Sequence, residues 1–71
     1  SKALLISDNI DWQFGRVISY FNIGYGYASK NEYIPAIDNL FKSLGIAESI
    51  KNYQYVAKNS KTLGDLYAVL G

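Results

Sequence analysis

The sequence has 71 residues, with seven basic and six acidic side chains, a net charge of +1 and no clustering of either sign. This length suits one small domain, and the lack of a basic stripe argues against nucleic-acid binding. Cysteine and histidine are absent, so disulfides and the usual thiolate or imidazole metal sites are excluded.

No apolar run reaches the roughly 18 residues that a membrane span needs. We therefore expect a soluble chain without membrane insertion. The missing cysteines fit a reducing cytoplasm and a periplasm alike, and the cytoplasm is the favoured compartment.

The first predicted element is a short amphipathic helix over residues 1–11, with apolar residues at positions 3, 4, 6 and 10. Asn9, Asp11 and Gly15 predict a break after it. Because the helical pattern is under way at the first residue, we interpret this segment as the end of a preceding helix.

Residues 13–50 are predicted to form a helical hairpin. Its first helix, to about residue 29, is apolar on more than one side, which is typical of a helix buried between neighbours. Gly24 and Gly26 each cost about 1 kcal/mol there relative to alanine, and close approach of a second helix would compensate at Gly24. Asn31 is predicted to cap that second helix, with Pro35 in its first turn. Its apolar stripe is Tyr33, Ala36, Ile37, Leu40, Phe41, Leu44, Ala47 and Ile50.

A last helix is predicted from Tyr53 to about Leu70, and it repeats features of the first. Sliding the sequence against itself by 40 positions places like residues opposite each other in two regions. This spacing indicates an internal repeat. The matches are Lys2, Leu4, Ile6 and Ile10 with Lys42, Leu44, Ile46 and Ile50, and Gly24, Tyr27 and Ala28 with Gly64, Tyr67 and Ala68.

The repeated core has the form Ile23-Gly24-x2-Tyr27 in one copy and Leu63-Gly64-x2-Tyr67 in the other. With Tyr20 before the first copy, and Ala36 and Leu40 after it, this pattern resembles the tetratricopeptide repeat. The period is 40 rather than the usual 34, as in the long variant found in bacterial signalling proteins. HEAT and armadillo repeats share the period but not this core, and a free-standing three- or four-helix bundle would need no repeat.

The resemblance implies an all-α fold of antiparallel helix hairpins, stacked as a right-handed superhelical solenoid. Residues 1–11 would end a preceding second helix, residues 13–50 would form one full hairpin, and residues 53–71 would be the first helix of the next repeat. First helices would line a concave groove that binds a protein or peptide. The groove residues that this predicts are Phe21, Asn22, Tyr25, Ser29, Lys58, Lys61, Thr62 and Asp65.

Three of these positions, Asn22, Phe21 and Tyr25, have a second interpretation. The Asn22 amide offers a donor and an acceptor together, which suits a peptide backbone, but it could equally be solvated. Phe21 and Tyr25 could form an aromatic wall for a ligand, although Phe21 is more simply explained by packing on the adjacent repeat.

Lys58, Lys61 and Asp65 form a charged stripe at three- and four-residue spacing. Lys61 and Asp65 suit a solvated ion pair, and the sharper interpretation is a site for a carboxylate-bearing peptide. The two-carboxylate clamp of some chaperone-binding repeats is disfavoured, because Phe21 occupies its first lysine position.

Catalysis has little support in this sequence, so we predict that the chain is not an enzyme and needs no cofactor or metal. Asp38 and Glu48 are ten positions apart on one predicted helix, about 15 Å by helical rise, which is too far for joint acid–base work.

Two function classes remain. One is a peptide-binding scaffold, and the other is a structural or regulatory spacer in a larger bacterial signalling protein, such as a sensor kinase or a peptide-responsive transcription regulator. We also expect marginal stability or self-association through exposed terminal helices.

Overall fold

The computed structural model describes the backbone of residues 2–71 and the side chains of residues 10–71. Three helices follow one another: α1 is Lys2–Ser29, α2 is Tyr33–Ser49 and α3 is Tyr53–Leu70. Residues 2–71 contain no strand, which confirms the predicted all-α class. The repeat matches at Lys2, Leu4 and Ile6 involve side chains outside the described residues.

The predicted break between helices at residues 9–15 is wrong, because α1 passes through this segment without a turn. Local contacts between helical neighbours explain the continuity. Arg16 donates a hydrogen bond to the Gln13 side chain at 3.2 Å, and its guanidinium carbon lies 4.9 Å from the centroid of the Trp12 ring. Such pairs at three- and four-residue spacing stabilise a helix, and they offset the single unfavourable glycine at position 15.

The two turns of the bundle have the same backbone design. Asn31 and Lys51 adopt the left-handed conformation, with φ of 63° and 59°. After each, a backbone N–H reaches back five residues, from Glu32 to the Tyr27 carbonyl at 2.9 Å and from Asn52 to the Ala47 carbonyl at 2.8 Å. This is the Schellman arrangement, which satisfies the last carbonyls of a helix.

The prediction that Asn31 caps the second helix is therefore wrong. Asn31 ends α1, and the N-cap position of α2 belongs to Glu32, whose side chain makes no capping bond. Asparagine tolerates the left-handed conformation better than most residues, which suits it to the end of α1. In the second turn, Asn52 does act as a cap, because its side chain accepts from the Tyr55 N–H at 3.2 Å.

The core lies along one face of α2, which packs against both α1 and α3. Ala36, Leu40, Ser43 and Ala47 are all fully buried, and their alternating four- and three-residue steps place them on one stripe. Leu63 and Leu66 of α3 complete the cluster around Ala36 and Leu40.

Gly24 allows α1 to approach α2 closely. A Cβ atom at this position would lie 2.8 Å from Leu40 Cγ and 3.0 Å from the Ala36 carbonyl oxygen, so no larger residue fits without a shift. The predicted close approach is confirmed at Gly24. The matching site in the repeat, Gly64, has no such neighbour, because a Cβ there would meet nothing within 4 Å.

A buried polar chain crosses the core and joins all three helices. Ser43 Oγ donates to the Val17 carbonyl at 2.7 Å, and Asn59 Nδ2 donates to Ser43 Oγ at 2.9 Å. The same amide nitrogen donates to the Tyr55 carbonyl at 2.9 Å. Asn59 is fully buried, and its Oδ1 has no hydrogen-bond partner. Because buried polar groups are costly unless satisfied, this chain constrains how the helices align.

Candidate functional site

The predicted groove corresponds to the line along which α1 and α3 meet. Each turn reverses the chain, so these two helices run in the same direction on one side of α2. Their contact is aromatic: the ring of Tyr55 lies edge-on to Phe14 and to Phe21, with centroids 6.0 and 5.7 Å away. Edge-to-face pairs of this kind add about 0.5–1.5 kcal/mol each beyond area burial. These three rings form an aromatic floor between the helices.

A cleft of about 250 Å³ opens at the C-terminal end of this line. Two predicted groove residues from α1, Tyr25 and Ser29, and two from α3, Thr62 and Asp65, all line it. The Tyr25 ring is 57% exposed, so its face is accessible to a ligand. The complete lining, called here the α1–α3 groove, is Tyr25, Ala28, Ser29, Thr62, Asp65 and Leu66.

The hydroxyls in the groove already use their protons within their own helices. Ser29 Oγ donates to the Tyr25 carbonyl at 3.0 Å, and Thr62 Oγ1 donates to the Lys58 carbonyl at 2.9 Å. A hydroxyl that has donated its proton still offers lone pairs. Together with the Asp65 carboxylate, these groups present acceptors to a ligand that brings N–H donors.

The two lysines of the charged stripe lie beside the groove. Lys58 Nζ is 4.8 Å from the centroid of the Tyr55 ring, a cation–π distance. Lys61 Nζ lies 3.4 Å from Asp65 Oδ2 in an exposed pair of side chains. This geometry is that of the predicted solvated ion pair, and such a pair contributes little to stability.

Two predicted residues lie away from the cleft, for different reasons. Phe21 packs against Tyr55 and against Tyr25, whose ring centroid is 6.0 Å away, which matches its packing interpretation. Asn22 lies farther round α1, in a separate depression of about 220 Å³ lined also by Ile23, Gly26, Tyr27 and Lys30. The structure does not bring Asn22 together with Ser29, Thr62 and Asp65.

The sequence analysis did not assign Phe14 and Tyr55 of the aromatic floor, or Ala28 and Leu66 of the groove lining. The positions of the two aromatic residues could have been found from the sequence. Phe14 is seven positions before Phe21, or about two helical turns, so the two rings share one face of α1. Tyr55 is three positions before Lys58, so it lies on the same face of α3 as the charged stripe, one helical turn earlier.

The described part of the chain offers no cluster of three or more metal-ligating side chains. Within the same residues, no helix is both long and apolar enough to cross a bilayer. The side chains that line the α1–α3 groove offer an aromatic ring, two hydroxyls and a carboxylate for contact with a ligand.

Comparison with known proteins gives no relative for this chain: no family model, no curated protein and no solved structure matches it.

Proposed function

We propose that the chain is a tetratricopeptide-like repeat segment that binds a protein or peptide in the α1–α3 groove. The observation that carries this proposal is the meeting of Tyr25, Ser29, Thr62 and Asp65 in one cleft. These side chains come from positions that the resemblance assigns to the ligand-binding face. They are contributed by two helices that the 40-residue repeat makes equivalent.

The packing of α2 supports the tetratricopeptide-like stacking in this proposal. Its buried stripe contacts α1 at Gly24 and α3 at Leu63 and Leu66. A helix that contacts both of its neighbours along the chain is the arrangement that stacked helical repeats require. The right-handed superhelix is part of the proposal through the resemblance alone.

The chemistry of the groove suits an extended peptide. The exposed ring of Tyr25 gives an apolar surface for a side chain, and aromatic residues are common at binding hot spots. The hydroxyl oxygens of Ser29 and Thr62 and the Asp65 carboxylate would accept bonds from peptide N–H groups. Lys58 and Lys61 at the border would suit a carboxylate on the same ligand.

The test is selection from a displayed random-peptide library against the 71-residue chain, followed by titration of the selected peptides. Binding should saturate and should weaken about tenfold or more on Tyr25→Ala, because truncating an aromatic hot spot costs about 2 kcal/mol or more. Tyr53→Ala is the matched control, since this tyrosine is 69% exposed and lies outside the groove. Far-UV circular dichroism must show unchanged helix content in both variants.

Asn22→Ala reports whether the ligand extends round α1 beyond the cleft. Weaker binding would retain Asn22 as a ligand contact, whereas unchanged binding would confine the ligand to the cleft residues. Selected peptides that bind the Tyr25→Ala chain as well as the original would overturn the groove as the binding site.

The second candidate function is a structural or regulatory spacer in a larger bacterial signalling protein. The aromatic floor favours it, because Phe14, Phe21 and Tyr55 are occupied with packing the helices on each other. In that case flanking segments of the same protein would fill the groove. Selection would then return no peptide that saturates, and this outcome separates the two functions.

A further inference from the structure

A second cleft lies on the outer side of the α1–α2 hairpin, and its chemistry differs from that of the groove. Its volume of about 340 Å³ is near the lower end of the range for ligand pockets. Arg16 and Tyr25 are nine positions apart on α1, or two and a half turns, so this cleft and the groove lie on opposite sides of that helix. The α1–α2 cleft is lined by Arg16, Tyr20, Phe41, Lys42, Gly45 and Ile46.

Arg16 provides an ordered cation at this cleft. Its guanidinium carbon is 4.9 Å from the Trp12 ring centroid and 5.7 Å from that of Tyr20, and its Nη1 donates to the neutral Gln13 amide. Neither ion pair found among residues 10–71 includes Arg16. A guanidinium held against aromatic rings loses little further freedom when it binds a carboxylate. Arg16 is thus positioned by neutral groups and is open to an anion.

Lys42 adds a second positive charge on the facing helix. Its Nζ lies 5.7 Å from the Tyr20 ring centroid and 3.2 Å from Asp38 Oδ2, in a pair that is mostly exposed. Arg16 first, and Lys42 to a smaller extent, lower the pKa of Tyr20 below its ordinary value, against the opposing effects of burial and of Asp38. The two cationic side chains beside the Tyr20 ring complement an acidic ligand.

The cleft also has an apolar part. Phe41 is 48% exposed, and Gly45 leaves space beside it, because a Cβ atom at Gly45 would meet nothing within 4 Å. An apolar side chain can occupy this space between Phe41 and Ile46. The exposed Trp12 beside Arg16 extends the surface, and tryptophan, tyrosine and arginine are the residues most enriched at protein-binding hot spots.

We propose that the α1–α2 cleft binds an acidic peptide segment, with an apolar side chain over Gly45 and an adjacent carboxylate paired with Arg16. Two cations and a net charge of +1 suit a short acidic peptide better than a nucleic acid, whose binding depends on many phosphate contacts. This surface is independent of the α1–α3 groove and would allow two partners to bind at once.

The test is an amide NMR titration of the 71-residue chain with the peptide Gly-Glu-Phe-Glu-Gly, acetylated and amidated at its ends. Saturable chemical-shift changes are expected at the amides of Arg16, Tyr20 and Gly45. The affinity should fall as salt is added, because salt screens the attraction between the charges. Two matched peptides carry lysine in place of both glutamates or alanine in place of phenylalanine. Neither should produce saturable shifts at these positions.

Gly45→Leu should abolish this binding, because the new side chain fills the cleft from an exposed position. Gly26→Leu is its matched control: a Cβ there also meets nothing within 4 Å, but the site lies in the Asn22 depression. Arg16→Gln should weaken binding on the order of tenfold through loss of a charged hydrogen bond. Lys30→Gln removes one positive charge elsewhere and should leave binding unchanged.

Several results would overturn the proposal. These are no binding of the acidic peptide, equal binding of the lysine peptide, or shifts centred on Tyr25 and Asp65 in the groove. If circular dichroism shows that Gly45→Leu loses helix, Arg16→Gln decides alone, and unchanged binding in that variant counts against the site.

Discussion

Arg16 and Tyr20 show how a neighbouring charge changes the chemistry of one half-buried side chain. The Arg16 guanidinium favours the phenolate and, with help from Lys42, lowers the pKa of Tyr20 from its ordinary value of 10.0. A lowered pKa in the folded state means that ionised Tyr20 stabilises the fold. That contribution is complete above pH 10, and it is lost as the pH falls through the folded-state pKa.

Arg16→Gln should therefore raise the pKa of Tyr20 toward 10.0, because the largest favourable charge is removed. The titration of the Tyr20 Cζ resonance in ¹³C-tyrosine-labelled protein measures it. The control is Lys51→Gln, which removes a charge in the α2–α3 turn, far from Tyr20. It should leave the pKa of Tyr20 unchanged. An unchanged or lower pKa in Arg16→Gln would contradict the assignment of the shift to Arg16.

Ser43 and Asn59 differ in what their removal leaves behind. Ser43→Ala removes the donor to the Val17 carbonyl and the acceptor for Asn59, so we expect a loss of about 1 kcal/mol in the free energy of unfolding. Asn59→Leu removes a buried oxygen that has no partner, and it should leave stability unchanged or raise it. Urea unfolding of both variants measures the difference, and a larger loss for Asn59→Leu than for Ser43→Ala would refute this account.

At the scale of elements, two glycines with the same position in the sequence repeat have different packing. Gly24 lies against Leu40 and the Ala36 backbone. At Gly64, an added Cβ atom would have no neighbouring atom within 4 Å. The sequence repeat thus predicts which helix faces correspond, but not which of them packs against another helix. That depends on where the neighbouring helices lie.

Substituting alanine at each glycine separates the two cases. Gly24→Ala should destabilise the fold by about 1 kcal/mol or more, because overpacking against Leu40 and the Ala36 carbonyl outweighs the gain in helix propensity. Gly64→Ala should stabilise the fold by up to about 1 kcal/mol, because only the propensity gain remains. Thermal and urea unfolding of the pair provide the measurement, and equal effects at both sites would contradict the packing described.

At the scale of the whole molecule, α1 and α3 are held together directly by few groups. Most of the core lies along α2, and the direct α1–α3 contact centres on Tyr55 between Phe14 and Phe21. Residues of α1 also pack on the core cluster that includes Leu63 and Leu66 of α3. We therefore expect the Tyr55 ring to contribute to stability and to the spacing of α1 and α3.

Tyr55→Ala should reduce the free energy of unfolding by about 2 kcal/mol, below the value for a fully buried aromatic residue because Tyr55 is only half-buried. Tyr53→Ala, two positions away and mostly exposed, should change it by less than about 0.5 kcal/mol. Chemical denaturation followed by circular dichroism compares them. If the two variants have similar stability, the aromatic floor does not hold α3 on α1.

The sequence by itself determined the helical class, the positions of α2 and α3 within one or two residues, and the tight site at Gly24. These features follow from patterns spread over many residues. An apolar stripe at three- and four-residue spacing indicates a helix that packs one face on its neighbours. The groove positions Tyr25, Ser29, Thr62 and Asp65 were implied by the resemblance to the tetratricopeptide repeat. The structure places these four side chains around one cleft.

Only the tertiary structure decided the features that depend on a few atoms of a neighbour. Gly15 disfavours a helix by about 1 kcal/mol relative to alanine, and contacts such as Trp12 with Arg16 offset part of that cost. Asn22 and Tyr25 are separated by about 60° around α1, an angle that decides which of two depressions each side chain enters. The α1–α2 cleft likewise exists only because α2 places Lys42 and the bare backbone of Gly45 beside Arg16. Spacing along one helix fixes the direction of a side chain, whereas the atoms that it meets belong to another part of the chain.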